Sequence, residues 1–98
     1  MTVNKEFQDK KLVIAVEGRI DTMTAPDLEK EVKESIDGVE ELIFDFEKLD
    51  YISSAGLRVL LSAQKIMNKQ GSMKVLHTNE TILEIFEVTG FTDILTIE

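Results

Sequence analysis

Two adjacent serines, Ser53 and Ser54, stand where the segment Asp50-Tyr51-Ile52 runs into a strongly apolar helical pattern, Ala55-Gly56-Leu57-Arg58-Val59-Leu60-Leu61. A serine hydroxyl at a helix start has two uses. As an N-cap it accepts a hydrogen bond from one of the backbone N–H groups that the first turn leaves without partners. As a phosphoacceptor it would place a phosphate where free N–H groups and the positive end of the helix dipole welcome it. Ala55 and Gly56 favour the second use, because small residues keep the first turn bare and leave a hydroxyl open to a bulky visitor such as a kinase active site. Phosphorylation would add a charge of about -1.5 to -2 at one point of the surface.

The other reactive side chains do not assemble into a catalytic set. Asp45, Glu47 and Asp50 offer carboxylates, yet no nucleophile, oxyanion motif, phosphate-binding glycine loop or metal-ligand spacing accompanies them. Cysteine is absent and His77 is the single histidine, so thiolate sites and multi-histidine metal sites are excluded and no cofactor is expected. His77 reads as the end of a strand. Asp21 fits either a turn, where aspartate bonds its own backbone, or a functional carboxylate. Arg58, one of two arginines, either meets a partner's carboxylate or solvates its helix.

The elements that must position these residues alternate between strand and helix. Leu12 to Val16 reads as a buried strand closed by Gly18, with Phe7 and a turn at Gln8-Asp9-Lys10 indicating a short hairpin partner. Thr24-Ala25-Pro26-Asp27 resembles a capping box, and Leu28, Val32 and Ile36 follow at helical spacing up to Gly38. Leu42 to Phe46 is a second strand, Ser53 or Ser54 to Lys69 a second helix, and Met73 to Leu76 a third central strand. Thr78 or Asn79 caps a third helix that stops at Gly90, and Ile94 to Ile97 adds a short strand or helix turn. This order predicts one α/β domain over residues 1–98, a mostly parallel sheet packed against three to four helices. The second helix carries two apolar stripes, one at Leu57, Leu60, Leu61 and Met67 and another at Val59, Ala63 and Ile66. The second is either buried core or a docking face for a partner.

Ninety-eight residues suit one core, and 43% hydrophobic with 31% charged residues is ordinary for a globular domain. A net charge of -8 argues against nucleic acid and anionic membrane as direct partners and favours a basic protein surface, or serves solubility alone. The N-terminus MTVNKEFQDKK lacks the apolar run of a signal peptide, and no stretch approaches the roughly 20 apolar residues of a membrane span, so a cytoplasmic location is expected.

At Tyr51-Ile52-Ser53-Ser54-Ala55-Gly56-Leu57 the chain resembles the anti-sigma factor antagonist family, whose STAS fold is shared with the cytoplasmic domains of sulfate transporters. Gly18-Arg19-Ile20-Asp21 resembles the family's turn after the first long strand, Thr24-Ala25-Pro26 its helix start, and Gly90-Phe91 its glycine-apolar ending. The resemblance spans essentially the whole chain. It implies Ser54 as phosphoacceptor, Asp21 in the loop beside it, and a partner-binding surface that includes Ser53, Ala55, Gly56, Leu57, Arg58, Val59 and Ile66. The family's aspartate before the phosphoserine is Ser53 here. The resemblance further implies a non-enzymatic partner switch, monomeric when free. Unphosphorylated, it binds an anti-sigma factor that is also a serine kinase of histidine-kinase-like ATPase fold; phosphorylation releases it, and a metal-dependent serine phosphatase resets it. The competing reading is an adaptor of the same fold in a transport or sensory complex that is never phosphorylated.

Overall fold

The computed structural model describes all 98 residues. Strands β1 (Thr2–Gln8) and β2 (Lys11–Ile20) form an antiparallel hairpin whose turn holds Asp9 at φ 55°, a conformation that aspartate tolerates better than most residues. Helix α1 (Ala25–Ser35) crosses to β3 (Glu41–Asp45), then β4 (Leu49–Ile52) leads into α2 (Ser54–Gln70), β5 (Ser72–Leu76) and α3 (Glu80–Val88), and a 3-10 turn covers Phe91–Asp93. The sheet order is β1-β2-β3-β5, with β2, β3 and β5 parallel and β4 pairing in parallel with the far end of β2. The expected α/β domain with a mostly parallel sheet is therefore present, with three α-helices. In place of a final strand, the C-terminus makes one bridge, in which Thr96 O accepts from Val75 N at 2.9 Å and Glu98 N donates to Val75 O at 2.9 Å.

Two features of β2 depart from expectation. It does not close at Gly18; that glycine, at φ 93°, forms a bulge where the register shifts, its N–H bonds Lys48 O at 3.0 Å, and the strand continues to Ile20. The continuation gives β4 its partner, and β4 itself has no counterpart in the sequence reading. Nor is Leu12 to Val16 buried on both sides. Leu12, Ile14 and Val16 enter one core with Leu28 and Val32 of α1 and Leu60, Ala63 and Met67 of α2, while Val13 and Ala15 are half-buried. The helices α1 and α2 cover a single face, and across the other the pleat aligns Glu6, Val13, Ile43 and Lys74 in one row. Lys74 pairs there with Glu41 and Glu98, at 3.8 and 3.7 Å.

Candidate functional site

The far end of β2 brings the predicted residues together. Ile20 and Ile52 are register partners in parallel strands, so the segments beginning at Asp21 and Ser53 leave the sheet side by side. The Ser53 N–H donates to Ile20 O at 2.7 Å, which ties the start of α2 to the end of β2. Carboxyl ends of parallel strands, where chains diverge into loops, are where such folds place functional groups.

The two serine roles fall on different residues. Ser53 is extended, with φ -90° and ψ 175°; its hydroxyl accepts from Gly56 N at 3.4 Å and its carbonyl from Leu57 N at 2.9 Å, so Ser53 is the N-cap. Ser54 is the first helical residue, exposed and free of any capping duty. Aspartate and serine cap helices about equally well, so Ser53 fills the structural part of the position that the family gives to aspartate.

Asp21 organises the neighbouring loop. Its Oδ1 accepts from Met23 N and Thr24 N, each at 3.0 Å. The Thr24 hydroxyl accepts from Asp21 N at 2.8 Å and divides its own proton between Arg19 O at 2.9 Å and Asp21 Oδ1 at 3.2 Å. The capping box expected at Thr24 therefore does not form: Thr24 precedes α1, but its side chain turns back to lock the loop. The Thr24 amide first, then its hydroxyl, the Met23 amide and the Arg19 charge, hold the Asp21 carboxyl below its ordinary range against the opposing effect of partial desolvation. The locked loop presents Met23, 84% exposed, a residue the sequence reading passed over. An apolar side chain between two threonines at a turn was the available signal.

Three residues expected at the partner surface lie elsewhere. Gly56, Leu57 and Val59 are buried, the last two 4% and 5% exposed, and Ala63 of the same stripe is 1% exposed. A Cβ on Gly56 would lie 2.6 Å from Ile20 Cγ2 and 2.7 Å from Ile52 Cγ1, so this glycine seats the helix against the strand ends rather than clearing space for a kinase. Ile66 is half-buried and packs against the core. The Val59 stripe is thus core, because α2 is flanked by the sheet on one side and α1 on the other. Ala55, half-buried, and Arg58, exposed, remain on the surface beside Ser54. They line a groove of about 240 Å³ whose opposite wall is Thr22, Pro26 and Glu29, with Val59 at its floor. Sequence reasoning could not pair these walls, since thirty or so positions separate them.

A second polar corner forms where β3 and β5 end. His77, at φ 61°, bonds Asp45 Oδ1 through Nδ1 at 2.9 Å, and Glu47 N donates to the same oxygen at 3.1 Å. Ligand atoms of Asp45, Glu47 and His77 lie within 4.8 Å of one another, which makes this the place where the chain's side chains approach a cation-binding set. The ion pair accounts for the arrangement: partial burial works against the Asp45 charge, but His77 and the Glu47 amide hold its carboxyl low, and Asp45 in turn raises the His77 pKa.

Comparison with known proteins resolves which fold family owns this geometry. A family model described as the STAS domain matches residues 2–98. The chain belongs to the STAS domain family. Over 99 residues this STAS domain is 35% identical to BtrV of Bordetella bronchiseptica, named as an anti-sigma factor antagonist, covering 99% of this chain and 85% of that protein. The crystal structure of an anti-sigma factor antagonist from Mycobacterium paratuberculosis superposes with a TM-score of 0.89 at 25% identity, over 98% of this chain and 83% of that one. SpoIIAA, an anti-sigma factor antagonist solved in its unphosphorylated form, shares the fold with a TM-score of 0.85 at 19% identity, over 99% and 88% of the two chains. These names are those of regulators rather than enzymes. No helix of this STAS domain is long and apolar enough to cross a membrane.

Proposed function

We propose that this STAS domain is a phosphorylation-controlled anti-sigma factor antagonist acting in the cytoplasm. Unmodified, it binds an anti-sigma factor that is also a serine kinase of histidine-kinase-like ATPase fold, and the sigma factor is released. The observation that carries the reading is the division of labour at the start of α2: Ser53 caps the helix, and Ser54 stands exposed beside the locked Asp21 loop. The kinase supplies ATP. The Ser54 Oγ–P bond forms as the bond between the γ-phosphorus and its bridging oxygen breaks, ADP leaves, and the hydroxyl proton passes to a base of the kinase. The product carries up to two negative charges in what was a docked, partly desolvated contact, which is costly without new cationic partners, so the complex separates. A metal-dependent serine phosphatase returns Ser54 to its starting state.

Incubation with the cognate kinase and ATP is expected to add one phosphate, mapped to Ser54. Phosphate found on Ser53 or on a threonine overturns the assignment; no incorporation at all returns the domain to the class of unphosphorylated adaptors. Ser54→Asp is expected to keep the parent melting curve and to weaken binding in calorimetric titration.

A further inference from the structure

We propose that Arg58 folds back over the first turn of α2 and clasps the phosphate carried by Ser54. The inference rests on the reading of Ser54 as phosphoacceptor and concerns how this particular chain holds the modified state. Positions i and i+4 of a helix lie on one face with their Cβ atoms about 5–6 Å apart. Side chains also lean toward the N-terminus, so a long residue covers the turn before its own. Ser54 is the first helical residue and Arg58 the fifth, a spacing from which the guanidinium can reach the hydroxyl's turn.

Arg58 is also uncommitted. It is exposed and makes neither an ion pair nor a hydrogen bond, although the chain carries nineteen acidic residues. Glu29, the carboxylate in the wall facing it across the groove, is already paired with Lys33 at 2.8 Å. No acidic side chain stands in the first turn of α2, and Ser53 is neutral, so nothing local competes for the guanidinium. Asp21, in the loop that leaves the sheet beside Ser53, spends its Oδ1 on the Met23 and Thr24 amides. The other arginine, Arg19, is stacked 4.5 Å from the ring centroid of Tyr51. Guanidinium matches the geometry of a phosphate better than any other side chain, bonding two oxygens at once.

The test uses full-length protein with phosphoserine genetically encoded at position 54, so that no kinase is required, and follows its second ionisation by 31P NMR. That ionisation lies near pH 6 for free phosphoserine. Relative to the parent, Arg58→Gln is expected to raise the midpoint by about half a pH unit, the size of a well-placed exposed ion pair. Arg58→Lys falls between them, because charge is kept and the bidentate fork is lost. The difference shrinks in about 0.5 M salt. The helix dipole acts equally on all three proteins and cancels. Midpoints of parent and Arg58→Gln that coincide within about 0.1 unit overturn the clasp while leaving Ser54 as phosphoacceptor. A shifted midpoint in a protein whose partner binding is indifferent to the phosphate upholds the clasp and sinks the switching reading.

Discussion

The first two turns of α2 carry opposite assignments within six consecutive residues. Gly56, Leu57 and Val59 turn inward, where Gly56 leaves no room for a Cβ beside Ile20 and Ile52 and the other two join the core; Ser54 is exposed, and Ala55 and Arg58 line the groove shared with α1. A single motif therefore serves two unrelated demands. The inward residues determine whether the helix sits against the ends of β2 and β4, and the outward ones determine what the seated helix offers. Changes on the inner side should be read by a melting curve, changes on the outer side by a binding or modification assay.

Val59→Glu breaks the inner side most severely. A carboxylate forced into the seam between α2 and α1 must be desolvated where Val59 is 5% exposed, and a loss of about 3 kcal/mol is expected in urea denaturation. An unchanged midpoint would return Val59 to the surface. Gly56→Ala sharpens the contrast with a single methyl. Helix propensity favours alanine by about 1 kcal/mol, but contacts of 2.6 and 2.7 Å with two isoleucines must be relieved, and a net loss of about 1–2 kcal/mol is expected. The pair Ser53→Ala and Ser54→Ala divides the two serines: the first costs about 1 kcal/mol as a lost cap, the second stays within about 0.5 kcal/mol and abolishes phosphate incorporation. Reversed costs would exchange the cap and the acceptor.

The smallest effect is acid sensitivity on the outer side. Asp21 has a carboxyl pKa depressed below its ordinary 3.8 by the Thr24 amide and its neighbours, so its contribution to stability is complete above that value and is lost as pH falls through the lower folded one. Denaturation of parent and Asp21→Asn at descending pH should show the parent's advantage vanish only below the ordinary carboxylate range. An advantage that disappears already near neutral pH would mean the amide bonds do not hold the charge.

Much of this was legible in the residues, and the failures have physical causes. The strands at Leu42 and Met73, the first two helices and the Asn79 cap, whose side chain accepts from Ile82 N at 2.9 Å, follow from periodicity and capping chemistry that act within a few residues. β4 was missed because Leu49-Asp50-Tyr51-Ile52 is short and charged, and it becomes a strand only through β2 residues about thirty positions away. Gly18 read as a terminus because a glycine after an apolar run looks the same whether the strand stops or bulges. Thr24 read as a cap because the competing donor, the Asp21 N–H that occupies its hydroxyl oxygen, lies on backbone that no side-chain pattern reveals. The Val59 stripe read two ways, since burial on a second flank depends on where α1 packs. In the site, the residues alone left Ser53 and Ser54 open and Asp21 as turn or functional carboxylate, and the family resemblance chose Ser54 with Asp21 beside it; the groove that joins Arg58 to Glu29 was not visible.

The 2.7 Å bond from Ser53 to Ile20, together with the locked Asp21 loop, ties the backbone on either side of the site to the end of the sheet. On the proposed reading, a phosphate added there would work as a mark on a fixed page rather than as a lever. The message would then be written in charge and in the side chains next to it, and any larger movement would be delegated to the protein that comes to look.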